Sequence, residues 1–254
     1  MKKIIVPAIF LFLISGIIFG LYSLVNYYQK GNPILIVTPE TDVNSLYAIT
    51  PKKLAKFFWK KILEKTGKSE EEKVVAITFD DGPYPLYTPL LLDTLSRYNV
   101  KATFFVIGKD CENYPELLKR ISDAGHEIGN HSYSHARLCT LGTSQIEEEL
   151  GKANRIIAKI TGKYPFLVRP PGGQYDMALL KLIQSFGYTT VLYSNNPGDW
   201  RKTDNLLYFY NWIFSHNSRG GIILLHGGQM QTIRFLPSVI KELKRKGYFP
   251  FDNN

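Results

Sequence analysis

The chain has 254 residues, 44% of them hydrophobic, which suffices for one sizeable domain with a buried core and excludes global disorder. The formal charge is +9, yet residues 1–73 hold 11 Lys/Arg against 6 Asp/Glu and residues 74–254 hold 20 against 16. More than half of the excess sits in the first 73 residues, which argues against nucleic-acid binding by the main domain and fits a basic region near anionic lipid or an acidic wall polymer.

The N-terminus opens with Lys2 and Lys3, followed by an uncharged, mostly apolar run from Ile4 to Val25. About 20 such residues span a bilayer core as a helix. An uncleaved transmembrane anchor is expected. A cleaved signal peptide is the alternative, disfavoured by the length of the run and the lack of a small-x-small cleavage site. With Lys2 and Lys3 kept in the cytoplasm, everything after Asn26 is expected outside, on a bacterial cell membrane. Residues 26–73 read as a linker. Thr50-Pro51 marks a helix start, and Lys52 to Lys65 mixes Lys with Leu54, Phe57, Phe58, Trp59, Ile62 and Leu63. A basic amphipathic helix of this kind either lies on the membrane surface or covers one end of the main domain.

From Val74 onward, short apolar runs alternate with helical patterns. Strands are expected at Val74–Phe79, Ala102–Ile107, Phe166–Val168, Thr190–Tyr193 and Ile222–Leu225, and helices near 87–98, 115–124, 144–161, 176–186, 204–217 and 236–246. Ser144 and Glu147 stand at capping-box spacing before Ile146, Leu150, Ala153, Ile157 and Ile160, which recur at helical period. Strand–helix alternation predicts an α/β fold with a parallel sheet, open or closed. Cys111 and Cys139 lie in no Cys-x-x-Cys pair, so no cysteine metal site is suggested, and outside the cell the two can form one disulfide.

In parallel α/β folds functional groups gather where strands run out into loops. Thr78-Phe79-Asp80-Asp81-Gly82 ends the first apolar run, and two adjacent carboxylates there are costly unless something uses them. Gly129-Asn130-His131-Ser132-Tyr133-Ser134-His135 carries two histidines four apart, which face one point if the segment makes a helical turn. Arg169-Pro170-Pro171-Gly172-Gly173 and Asn196-Pro197-Gly198-Asp199-Trp200 each follow a strand, and His226 follows Leu224-Leu225. Singly, each has an ordinary reading: a cap for Asp80-Asp81, chance for the histidine pair, a rigid turn for the prolines and glycines, core for Trp200. His126 and His216 keep such a reading, as surface or satisfied side chains. Five polar clusters at the strand ends of one βα series are what point to a site.

The pattern and its order resemble the polysaccharide deacetylases of carbohydrate esterase family four, the NodB homology domain, over about residues 73–250. Thr78-Phe79-Asp80-Asp81-Gly82 resembles the family's first motif, His131-Ser132-Tyr133-Ser134-His135 its second, and Arg169-Pro170-Pro171-Gly172-Gly173 its third. Asp199-Trp200 and Leu224-Leu225-His226 resemble the fourth and fifth. The expected architecture is therefore a distorted (β/α) barrel of the polysaccharide deacetylase type at 74–254, preceded by the linker and one N-terminal transmembrane helix.

By that resemblance Asp81, His131 and His135 bind a divalent metal. One carboxylate and two imidazoles suit zinc, and cobalt or nickel are accepted by such ligands. The metal is expected to polarise the acetamide carbonyl and lower the pKa of bound water. Asp80 is implied as the general base, with Arg169 orienting it, and the Gly172 backbone N–H as an oxyanion donor. His226 is implied as the acid that protonates the departing amine, with Asp199 as its partner. Trp200 and Tyr133 are expected to meet the sugar. Two departures from the pattern touch the groove and the tuning of His226: Asn196 stands where the fourth motif often has an earlier Asp, and Gly227 where the fifth often has an acid.

The function so implied is metal-dependent hydrolysis of the N-acetyl amide of a glycan, releasing acetate. An external anchor puts peptidoglycan ahead of chitin-like oligomers and other exopolysaccharides as partner, and no nucleic acid is expected. Two competing readings are a non-catalytic glycan-binding protein on the same scaffold and a related C–N hydrolase of a small amide. Retirement of the site should erode Asp80, Asp81, His131, His135 or His226, and all five are present.

Overall fold

The computed structural model describes residues 36–37, 73–201, 205–215 and 220–250. The expected N-terminal anchor, the basic helix at 52–65 and His216 lie outside the described residues. Among the described residues, no helix is long and apolar enough to cross a membrane.

The first long strand is β2, Lys73–Asp80, after a two-residue β1, Ile36–Val37. In β2, Val75, Ile77, Thr78 and Phe79 are all buried, so both faces of the strand are covered and the apolar run has no polar alternation. The chain continues through α1 (Tyr87–Arg97), β3 (Thr103–Val106), α2 (Gly108–Asn113), α3 (Pro115–Asp123) and β4 (Glu127–Asn130). It then runs through α4 (Thr143–Thr161), β5 (Leu167–Val168), α5 (Met177–Ser185), β6 (Thr189–Val191), α6 (Leu206–Ser215), β7 (Gly220–His226), α7 (Met230–Arg245) and β8 (Tyr248–Pro250).

The strand order is β1-β6-β5-β4-β3-β2-β7, with β8 also beside β2; every pairing is parallel except β1 with β6. Phe105 of β3, Val191 of β6 and Ile222 of β7 meet in one apolar cluster, although β4 and β5 lie between β3 and β6 in the sheet. The sheet therefore curls on itself. The segment after β6 closes the curl: Asn195 bridges to Ile223, with Asn195 N donating to Ile222 O at 3.1 Å and Leu224 N to Asn195 O at 2.8 Å. This is the distorted barrel expected from the motifs.

Parallel register is what gathers the site. Asp80 stands opposite His226 and Phe105, Val106 opposite Asn130, and Asn130 opposite Val168. The chemistry-bearing residues at the ends of β2, β4, β5 and β7 thus emerge at the same rim. The main core, including Val75, Phe79, Leu91, Leu118, Phe235 and Ile240, fills the space between the sheet and its covering helices.

Four local expectations change. β4 was absent from the sequence-based strands because it is not an apolar run: its sequence is Glu127-Ile128-Gly129-Asn130, and Gly129 is needed because a Cβ would stand 2.4 Å from the Phe105 ring. The cap of α4 is Gly142, whose N–H donates to Gln145 Oε1 at 3.0 Å, so Gln145 and not Glu147 closes the helix start. α7 begins at Met230, six residues ahead of the expected 236, which brings Thr232 into its first turn. Cys111 and Cys139 are both free, Cys111 being buried in the main core and Cys139 lying against a second apolar cluster.

Candidate active site

Asp80 is the last residue of β2 and is buried. Its Oδ1 accepts from Arg169 Nη1 at 2.6 Å. Arg169 follows β5 and is fully buried, with every polar end occupied: Nη1 also reaches Thr78 Oγ1 at 2.8 Å, Nε reaches Val191 O at 3.1 Å and Nη2 reaches Leu192 O at 3.3 Å. Its guanidinium lies 4.0 Å from the centre of the Phe105 ring. A buried cation held this way cannot swing, so it fixes Asp80 and leaves Oδ2 on the His131 side, 3.7 Å from Nε2.

Asp81 turns away from its neighbour because its backbone is left-handed, φ 72°, with its N–H donating to Phe105 O at 3.1 Å. Among the described residues only Asp81, Asn99, Ser132 and His135 combine a positive φ with a side chain, and three of these four belong to this site. Such conformations cost of order 1–3 kcal/mol each and persist only where the surroundings impose them. The His131–His135 segment is not the helical turn that the spacing allowed. Left-handed residues at Ser132 and His135 fold it into a tight loop, and this loop brings both rings to Asp81.

His131 is buried, and its Nδ1 donates to Arg169 O at 2.7 Å, which fixes the tautomer and turns the Nε2 lone pair toward the carboxylates. Burial pushes its pKa down, against the raising influence of Asp80 and Asp81, so the ring is held neutral and able to ligate. Asp81 Oδ1 lies 3.7 Å from His131 Nε2 and 3.3 Å from His135 Nε2. That oxygen is buried and has no hydrogen-bond partner among the described residues. One ligand atom from each of Asp81, His131 and His135 falls within 4.8 Å of the others. An unpartnered carboxylate oxygen facing two imidazole nitrogens is a donor set suited to a divalent cation.

On the other flank, His226 ends β7. Its Nδ1 donates to Asp199 Oδ1 at 2.8 Å and its backbone N–H to Asp199 Oδ2 at 2.6 Å. Thr232 Oγ1 adds a further bond to Asp199 Oδ2 at 2.5 Å. Burial pushes the His226 pKa down, but Asp199, with help from Asp80 and Asp81, outweighs it and holds the imidazole above its ordinary value. Trp200 is 44% exposed, its ring edge-to-face with His226 at 5.0 Å between centres, and so walls the approach to that side chain.

Gly172 lies on the turn that follows Arg169, at φ 66°, where a Cβ would meet only Gln174 Cγ at 4.0 Å, so backbone conformation and not crowding calls for glycine. Tyr133 packs against Gly108, its hydroxyl donates to Glu112 Oε2 at 3.0 Å, and Lys152 Nζ sits 3.6 Å from its ring centre. Asn196 closes its own turn, accepting from Gly198 N at 3.1 Å. His126 is a satisfied core residue: Nδ1 accepts from Ala102 N at 3.2 Å, and burial, then Lys101, pushes its pKa down to about 4.

Sequence reasoning missed Thr232 and Tyr84. Thr232 carries no local signal, since its meaning comes from a carboxylate 33 residues away. Tyr84 packs on Gly228, where a Cβ would stand 2.7 Å from its ring, and burial followed by Asp81 and Asp110 pushes its phenol up to about 12. It therefore stays neutral at the edge of the site.

The family model described as polysaccharide deacetylase matches residues 67–191. A peptidoglycan-N-acetylglucosamine deacetylase of Bacillus cereus is 38% identical over 199 residues, 74% of this chain and 92% of that protein. The peptidoglycan-N-acetylmuramic acid deacetylase PdaA of Bacillus subtilis is 39% identical over 181 residues, 70% of this chain and 69% of that protein. The crystal structure of the Bc1960 peptidoglycan N-acetylglucosamine deacetylase superposes with a TM-score of 0.68 at 32% identity, over 72% of this chain and 88% of that one. The chain belongs to the polysaccharide deacetylases of carbohydrate esterase family four and is a polysaccharide N-deacetylase.

Proposed function

We propose that this enzyme deacetylates peptidoglycan from the outer face of a bacterial membrane, with zinc held by Asp81, His131 and His135. The observation that carries the reading is the Asp81 Oδ1 facing two imidazoles with no hydrogen-bond partner among the described residues, set between a carboxylate locked by Arg169 and a histidine bonded to Asp199. Asp81, His131 and His135 would hold a divalent cation, which would supply a Lewis acid for the amide carbonyl and lower the pKa of water. Asp80 is placed to take a proton from the attacking water at Oδ2, its other oxygen being bound to Arg169. His226 delivers a proton from Nε2 to the departing sugar amine, because its Nδ1 is committed to Asp199. Acetate and a free amine are the products. The Gly172 N–H is assigned to the oxyanion, and Trp200 to stacking on a sugar face, where an exposed ring beside the acid is suited to meet substrate. Tyr133 is assigned to the outer edge of the same groove.

The substrate rests on the relatives, which act on both sugars of peptidoglycan, and on the anchor read at residues 4–25. Full-length protein in detergent is expected to release acetate from N-acetylated peptidoglycan in preference to chitin oligomers. Chelation should abolish that release, and zinc or cobalt should restore it. Undiminished activity in metal-free protein refutes the metal, and release from chitin alone refutes the wall substrate. For the anchor, protease added to intact protoplasts should free the catalytic domain from the membrane; protection from that protease overturns the external location.

A further inference from the structure

We propose that Glu149, on α4, is a positioning residue that sets the His131–His135 loop and thereby the metal affinity of the site; the proposal rests on the reading of Asp81, His131 and His135 as a metal site. The two histidines are held by different means. His131 is buried and fastened through its own ring to Arg169 O. His135 is 43% exposed at its side chain, so its place is set mainly by the backbone that carries it. That backbone contains two left-handed residues that are not glycine, Ser132 and His135, and costs free energy to hold.

The restraint comes from two neighbours. α2 supplies the Gly108 and Lys109 N–H groups, which donate to Ser132 O and Tyr133 O, both at 2.9 Å. α4 supplies the other side. Glu149 Oε2 accepts from Tyr133 N at 3.0 Å and Ser134 N at 2.9 Å, and Oε1 accepts from Ser134 Oγ at 2.7 Å. The same helix anchors the start of the loop: Asn130 Nδ2 donates to Leu150 O at 2.9 Å and to Asn154 Oδ1 at 2.6 Å, while Asn130 Oδ1 accepts from Ser132 N at 2.8 Å. One carboxylate therefore spans the residues between the two ligands and takes both of the N–H groups that precede His135. Charge-assisted bonds to backbone N–H are among the stronger restraints available to a loop. Groups that orient metal ligands typically govern 10–100-fold in affinity.

The test is a zinc titration of the chelator-stripped full-length protein, in competition with a chromogenic chelator, alongside thermal unfolding of the metal-free chains. Glu149→Ala is expected to weaken zinc binding by about 10–100-fold. Glu149→Gln should lie between Ala and wild type, since its amide oxygen can keep both N–H bonds without the charge. Ser134→Ala should lose only a few-fold, and Glu148→Ala, whose side chain is exposed and engages Arg155, nothing. A purely structural role lowers the unfolding temperature of the metal-free chain and leaves zinc affinity alone; that result overturns the proposal. Should Glu149→Ala fail to fold, Glu149→Gln decides: weaker binding at wild-type unfolding temperature supports it, and unchanged binding sinks it. If the wild-type protein binds no zinc, the metal-site reading itself fails, an outcome distinct from any difference among the variants.

Discussion

His131 and His226 stand on opposite flanks of Asp80, each against an aspartate, yet their pKa values are pushed in opposite directions. On the flank proposed for the metal, Asp81 Oδ1 has no donor among the described residues, and burial lowers the pKa of His131, whose Nδ1 proton faces Arg169 O, away from the carboxylates. On the flank proposed for the acid, Asp199 receives the His226 ring, the His226 N–H and the Thr232 hydroxyl, and the imidazole pKa is raised above its ordinary value. A carboxylate saturated by donors serves as a fixed counter-charge. One left with a bare oxygen carries a desolvation cost of about 1–3 kcal/mol or more, which a cation can offset. The difference lies in which nitrogen each imidazole turns toward its aspartate: His131 turns Nε2, its Nδ1 being taken by Arg169 O, and His226 turns Nδ1.

Variants at the centre and on the acid flank can break this contrast. The largest expected effect is Asp80→Asn, which keeps the shape and the Arg169 contact but removes the carboxylate proposed as base. Turnover should fall about 10²–10⁴-fold while bound metal, read by elemental analysis, persists. Loss of metal together with activity would place Asp80 among the ligands and merge base and metal site.

Next is Asp199→Asn. Because the His226 pKa is raised, the protonated imidazole survives to higher pH, and if His226 is the acid as proposed the rate should fall as pH rises through that value. Without the Asp199 charge the lowering effect of burial is left less opposed, so the descending limb of the pH–rate profile should move to lower pH. An unmoved limb assigns it to another group, and because charges this close titrate together the assignment rests on the variant and not on the native curve alone.

The smallest shift is expected for Thr232→Val. Removing one donor makes Asp199 a stronger acceptor for the imidazole proton, so the same limb should move slightly to higher pH, with Thr232→Ser near wild type. Movement to lower pH in the valine variant would show that the hydroxyl holds Asp199 in place and does not tune its charge.

The parts of the site that were legible in the sequence share one property: their meaning is local. Asp80-Asp81 closes an apolar run, Arg169 follows another, and His226 ends a third, so burial of the runs alone puts these groups at strand ends. The same holds for the alternation that predicts a parallel α/β sheet. β4 was not legible, although it leads straight into both histidines, because Gly129 and Asn130 were chosen by the Phe105 ring and by α4 and not by strand propensity. The histidine spacing was legible as a pair but not as a conformation, since a helical turn and a loop with two left-handed residues both bring side chains four apart together.

By itself the sequence determined which groups were available: two adjacent carboxylates, two histidines four apart, an arginine before a Pro-Pro-Gly-Gly turn and a histidine closing an apolar run, in an order that resembles one family's motifs. Only the tertiary structure decided how each group was set. The curl of the sheet brings Asn195 to β7. With the strands so arranged, Arg169 reaches Asp80, Thr232 reaches Asp199, and Glu149 reaches the loop between the histidines. Those partners lie 89, 33 and 15 residues apart. Protonation and rigidity depend on distance in space, and separation along the chain carries no record of it.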